Sequence, residues 1–218
     1  MARQLRSELT RQKILTAAAD LFLERGYPAT GLGDIIARAE MTKGALYYHF
    51  DCKEALAEAI IGDGGSSVLT AFRAISESSS PALENTIHGL FVVADFTRTD
   101  RIARIGMQLL RTFSGINATA TRIYLSWLDT LTAQLVRADD DGDLRDGLDT
   151  AGAAEVILGS MLGAETLSYA IATGTDARQR VARTWEVLLP AIVSTDSLDY
   201  FREFLARESL RRPKVDGA

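Results

Sequence analysis

Apolar residues along this chain return every third or fourth position, with polar residues between them. From Leu9 to Leu23 they fall at Ile14, Leu15, Ala18, Leu21 and Phe22, the spacing that lays one stripe along an α-helix. Gly26 supplies a stop and Pro28 follows it, since glycine accepts left-handed backbone and proline does not continue a helix. Thr30 is placed to cap a short helix over GLGDIIARA, and Thr42 to cap another over residues 42–48; a hydroxyl there accepts from an open first-turn amide. Asp51 starts a longer helix, which Gly62, Gly64 and Gly65 interrupt, either as a hinge or as a break. Serines before Pro81 open the next, and Asp100, the stretch 118–121 and Asp149 open three more. DARQRVARTWEVLLPAIV and SLDYFREFLARESL supply the last two. No Val/Ile/Thr-rich alternating run argues for a strand. The pattern predicts an all-α fold of about nine or ten helices, with no internal repeat and only the charged tail after Arg211 disordered.

Composition narrows the class. A chain of 218 residues, 47% of them hydrophobic, can fill a core and suits one large domain or two small ones. No window approaches the ~20 consecutive apolar residues of a membrane helix. MARQLRSELTRQK lacks a signal-peptide core, so a cytoplasmic protein is expected. The single cysteine, Cys52, rules out an intramolecular disulfide and argues against a cysteine-based metal cluster. A net charge of −5 speaks against nucleic acid until its distribution is considered. Arg3, Arg6, Arg11 and Lys13 face only Glu8 near the start, while ADDDGDLRDGLD concentrates acid over 138–149. Local rather than total charge decides contact with phosphate.

Patterns that suggest catalysis or cofactors fail on their spacing. Gly31 and Gly33 begin a G-x-G-x-x-G, but Ile36 holds the third position and no strand precedes it. A calcium loop counted from Asp139, Asp141 and Asp143 has Leu144 at the required glycine and Thr150 at the twelfth place. A solvated helix–helix connection fits that run better. His49 and His88 are the only histidines and stand far apart, which leaves little for a metal site or a Ser-His-Asp triad. No enzyme activity, metal or cofactor is expected.

TKGALYYHF is the segment that points to a function. With the two helices before it, it has the form of a supporting helix followed by a helix-turn-helix, whose second short helix enters a DNA major groove. Lys43 offers a cation in the first turn and Gly44 lets backbone come close. Tyr47 and Tyr48 carry hydroxyls on flat rings that suit phosphates, sugars or a thymine methyl. Leu46 and Phe50, four apart, aim inward as core. Tyr47, Tyr48 and His49 fan out over about 200°, so one or two of them must face outward.

TRQKILTAAADLFLERGYPATGLGDIIARAEMTKGALYYHFDCKEALAEAI resembles the DNA-binding domain of the TetR family of transcriptional regulators. Three departures stand out. Glu40 replaces a turn glycine, where left-handed backbone would cost about 1 kcal/mol. Gly31 replaces a threonine that caps and touches phosphate, and Gly33 weakens the second helix slightly. Over the whole chain, MARQLRSELTRQKI, RIGMQLLRT, YLSWLDTL and RTWEVLLPAI are similar to the γ-butyrolactone receptors within that family. The resemblance implies a DNA-binding domain over 1–53 and a ligand-binding and dimerisation domain over 54–218. It implies a homodimer on palindromic double-stranded operator DNA, released by a γ-butyrolactone-like inducer and controlling antibiotic production or related secondary metabolism. A TetR-type regulator of a transporter or metabolic operon with another inducer, or a receptor-like orphan with a different ligand, is the alternative within this class; a helical enzyme or adaptor whose N-terminal domain no longer reads DNA is the alternative outside it. Arg3, Arg6, Arg11 and Lys53 are the phosphate candidates, Lys43 and Tyr47 the nearest to bases, and Thr42, Gly44, Tyr48 and His49 complete the DNA set. Trp127 falls where that group places a pocket tryptophan, with Met107, Leu110 and Thr166 as further lining. The implied dimer face is a helix pair built from TAGAAEVILGSMLGAETL and RVARTWEVLLPAIV.

Overall fold

The computed structural model describes residues 2–78 and 80–211, with side chains from Gln4 onward. Among the described residues there are ten α-helices: α1 (Ala2–Arg25), α2 (Leu32–Ala39), α3 (Lys43–His49), α4 (Lys53–Ser76), α5 (Ala82–Thr99), α6 (Arg101–Thr112), α7 (Ala118–Asp140), α8 (Thr150–Ala172), α9 (Ala177–Ile192) and α10 (Leu198–Leu210). The all-α expectation holds. The tail after Arg211 and the Arg3 side chain lie outside the described residues. No described helix is long and apolar enough to cross a membrane.

Side-chain caps set three helix starts where the sequence puts them. Asp100 accepts from Ala103 N–H at 2.7 Å, Asp149 from Gly152 N–H at 3.1 Å, and Thr42 from Ala45 N–H at 3.1 Å. Thr30 is a correction. Gly31 is the N-cap of α2, and its own N–H donates to Asp34 Oδ2 at 3.1 Å. The Thr30 hydroxyl is buried and donates back to the Gly26 carbonyl at 2.9 Å, closing the loop after α1. α1 also begins earlier than its apolar stripe, so the basic arm is helical. α4 begins two residues after Asp51.

The chain divides into two compact units, with boundaries inside α4, between α5 and α6, and inside α7. The first contains residues up to Ser67 together with Asp100–Ile123. Its core includes Ile14, Leu15, Ala18, Leu21 and Phe22 from α1, with Ile35, Leu46 and Leu56, all buried. Each of the leucine, isoleucine and phenylalanine side chains contributes roughly 1.5–3 kcal/mol. Arg101 reaches Asp20 at 3.0 Å, and the Phe113 ring meets the Tyr27 ring at 5.1 Å, which ties α6 to α1 and its following loop.

The glycines of α4 do not break it, since the helix runs unbroken through all three. Gly64 lets α6 approach, and Gly65 makes room for a side chain of α7. A Cβ on Gly64 would stand 2.5 Å from the Ile102 carbonyl oxygen and 2.9 Å from Gly106 Cα; one on Gly106 would meet Gly64 Cα at 2.8 Å. A Cβ on Gly65 would fall 2.7 Å from Ile123 Cδ1. Backbone cannot yield as a flexible side chain does, so Gly64→Ala is expected to destabilise the protein by about 1–3 kcal/mol in chemical denaturation. Gly33→Ala is the contrast: nothing lies within 4 Å of its added Cβ, and a helical glycine to alanine change should stabilise by about 0.5–1 kcal/mol.

The second unit contains Val68–Thr99 and the described residues from Tyr124 onward. α9 packs against α8, α10 and α5. Arg178 lies over the Phe91 ring at 4.8 Å, pairs with Asp95 and donates to the Glu208 carbonyl at 2.7 Å. The acidic run is less solvated than expected. Asp139, Asp140 and Asp141 are exposed, but Leu144 is buried and pairs with Val193 in an isolated antiparallel bridge. Arg145 N–H donates to Ile192 O at 3.0 Å and Ser194 N–H to Asp143 O at 2.9 Å. The turn is thereby fastened to the end of α9.

Candidate nucleic-acid interface and buried aromatic site

α3 separates its rings by face. Leu46 is fully buried and Phe50, just past the helix, is 5% exposed, whereas Tyr47 and Tyr48 are 42% and 75% exposed. His49 is half-buried, its ring edge-on to Tyr48 at 4.9 Å and tilted against Phe50 at 6.3 Å. The outward residues are therefore Thr42, Lys43, Gly44, Tyr47 and Tyr48. Lys43 Nζ sits 5.7 Å from the Tyr47 ring centroid, so cation and ring share one patch. Thr42 Oγ1 accepts the capping bond, which leaves its O–H to donate outward. A Cβ on Gly44 would meet nothing within 4 Å. Packing inside the chain does not require that glycine; close approach by another molecule would.

The support beneath this patch is α1 with α2. α1 packs against both α2 and α3. Arg38 grips Glu24 with two prongs, at 2.8 and 2.7 Å, pinning α2 to α1. The Arg38 guanidinium holds the Glu24 carboxyl below its ordinary range, although the pair is exposed and adds little stability. Glu40 has φ 51° and ψ 45°, the left-handed conformation expected where a turn glycine is replaced. Its carboxylate lies 3.6 Å from Lys13.

The cations expected at phosphates have different surroundings. Arg6 is exposed on α1. Arg11 is half-buried, 3.4 Å from Asp63 and 3.6 Å from Glu8, with its guanidinium 5.8 Å from the Phe50 ring centroid. Lys53 is turned inward. Its ammonium donates to the Tyr27 and Thr30 carbonyls at 3.0 Å each and the Pro28 carbonyl at 3.4 Å, and lies 4.4 Å from the Tyr27 ring centroid. It ties the loop after α1 to the start of α4 and is not brought to the exposed patch. The Tyr27 hydroxyl donates to Glu54 at 3.1 Å; burial, then that bond, pushes its pKa up to about 12.

In the second unit, Trp127 of α7 is 3% exposed and tilted against Phe72 at 5.4 Å. Its indole N–H has no hydrogen-bond partner among the described residues, which is uncommon for a buried tryptophan. Met107 and Leu110 are buried on α6 in the first unit. Thr166 differs from these three. It is exposed, and its hydroxyl donates to Leu162 O at 2.7 Å within α8. It belongs to an outward stripe of α8 that includes Val156, Gly159, Gly163, Leu167 and Ile171. On α9, Val187 is 75% exposed.

Residues 14–60 match the model of the tetR family of bacterial regulatory proteins. The A-factor receptor protein of Streptomyces griseus is 32% identical over 192 residues, 88% of this chain and 67% of that protein. A solved γ-butyrolactone receptor described as ArpA-like superposes with a TM-score of 0.78 at 28% identity, covering 94% of this chain and 98% of the other. CprB of Streptomyces coelicolor, a TetR family protein solved in complex with its biological operator sequence, gives a TM-score of 0.79 at 28% identity, covering 95% and 100%. The chain belongs to the TetR family of bacterial regulatory proteins, and its likeness to the γ-butyrolactone receptors extends along nearly its whole length.

Proposed function

We propose that the chain is a ligand-responsive repressor which binds a palindromic operator as a homodimer and releases it on binding a γ-butyrolactone-like molecule. The observation that carries the DNA half is the sorting of α3, with Leu46 and Phe50 inward and Lys43, Gly44, Tyr47 and Tyr48 outward around a glycine that packing does not require. Lys43 and Tyr47 approach base edges. Thr42, Tyr48, Arg6 and the helical arm meet phosphate, while Arg11 is shared between phosphate and its own carboxylates. His49 positions Tyr48. Lys53 holds the scaffold. The reading needs no catalytic group and no cofactor, and a regulator of this kind works in the cytoplasm.

The outward stripe of α8 and the exposed Val187 of α9 support the dimer. Small residues there allow close helix approach, and exposed valine, leucine and isoleucine gain by being covered. Two α3 helices about a two-fold axis then read half-sites about 34–36 Å apart. Thr166 falls on this face, and its proposed role moves from the ligand to the dimer.

Trp127 carries the ligand half: a buried ring with an unused donor suits an apolar molecule bearing a carbonyl. Binding releases DNA only if the ligand prefers the DNA-incompetent form; α4, shared by both units, is the element through which that preference would act. Selection of bound duplexes from a random pool tests the reading. A palindrome whose affinity falls steeply with salt is expected, and recovery of no enriched sequence would overturn it.

A further inference from the structure

Gln134 breaks the apolar stripe of α7. The buried face of this helix in the second unit carries Trp127, Leu131, Leu135 and Ala138, and Gln134 lies among them at 7% exposed. Among the described residues its side-chain carbonyl, Oε1, has no hydrogen-bond partner, and neither has Trp127 Nε1. Burying either group unpaired is costly, because each loses its water without gaining a replacement. Any one such atom is a local defect. A donor and an acceptor on the same helix face form a pattern.

The helix fixes their spacing. Seven residues make nearly two full turns, so Trp127 and Gln134 share one side of α7, about 10 Å apart along its axis. Trp185 Nε1 is also buried and unpartnered, but it sits on α9, where no helical register relates it to Trp127. The α7 pair therefore presents a hydrogen-bond donor at one end of an apolar strip and an acceptor at the other.

We propose that Gln134 determines specificity in the ligand site, taking a hydrogen bond from a hydroxyl on the ligand's chain while Trp127 donates to a carbonyl at the ligand's head. This rests on the ligand-responsive reading above and narrows its ligand class. The inducer is a lactone with an apolar chain that bears a hydroxyl, its head and that hydroxyl held by residues about two helical turns apart on α7. A chain with no polar group there leaves Gln134 unpaired, and such sites discriminate strongly against analogues that lack the bonding group.

The test uses the full-length protein and three γ-butyrolactones with the same straight acyl chain: unsubstituted, with a distal hydroxyl, and with a distal ketone. Half-release of operator DNA and calorimetric Kd without DNA are measured for the wild type and for Gln134→Leu. The wild type should respond to the hydroxylated lactone at about tenfold lower concentration than to the unsubstituted one. Gln134→Leu should erase or invert that preference while binding operator as before, since leucine suits methylene and not hydroxyl. Equal wild-type responses to all three lactones, or a preference for the ketone, would overturn the proposal; the former would mean that water satisfies Gln134. These wild-type comparisons stand even if melting shows that the variant does not fold. Failure of the wild type to bind any of the three would instead remove the lactone reading itself, and this proposal with it.

Discussion

Trp127→Ala is expected to bind operator like the wild type and to remain bound when a γ-butyrolactone inducer is added. The residue belongs to the second unit, while α3 keeps its own supports, α1 and α2, within the first. What disappears is a large buried ring against Phe72 and a donor that no atom of the described residues uses. Truncating a buried tryptophan costs about 3–5 kcal/mol of stability, so Trp127→Phe is the necessary companion. Phenylalanine keeps most of the ring and drops only the N–H. It should fold, bind operator, and need about tenfold more inducer, as expected for one hydrogen bond to a neutral partner. Gel-shift titration at fixed DNA with increasing lactone reads both variants. Normal release from Trp127→Ala would remove Trp127 from the ligand site.

The second large effect is on α3. Lys43→Ala and Tyr47→Ala should each leave a folded dimer with operator binding weakened about 10- to 100-fold, since one side chain's interaction with a base or phosphate is worth roughly 1–3 kcal/mol. Both side chains point outward, so little stability is at stake. Leu46→Ala is the opposite case: a fully buried side chain, expected to cost about 2–5 kcal/mol of stability and to abolish binding through unfolding. Melting and anisotropy on the same samples separate the two kinds of defect. Unchanged affinity in both Lys43→Ala and Tyr47→Ala would move the recognition surface elsewhere.

Local chemistry and periodicity made much of this legible. The α1 stripe, the caps at Thr42, Asp100 and Asp149, and the inward aim of Leu46 and Phe50 follow from spacing and hydrogen-bonding alone. The left-handed turn at Glu40 was legible because the family's pattern has a glycine there and this chain does not. What could not be read depends on a second helix. Gly64 looks like a helix breaker until Gly106 arrives against it, because propensity is a local quantity and close packing is not. Lys53 looks like a phosphate ligand until three carbonyls of a distant loop collect around it. Thr166 shows no partner in sequence, and only the fold places it on an outward face. Gln134 did leave a signal, a polar residue inside the apolar stripe of α7, but its weight comes from the unused atoms beside it.

The most direct measurement is fluorescence anisotropy of a labelled palindromic operator, bound by the full-length protein and titrated with a chain-bearing γ-butyrolactone. Saturable binding with one protomer on each half-site, followed by full release as the lactone is added, is the expected result. An operator complex that persists at saturating lactone, with no lactone binding by the free protein, would contradict the proposed function.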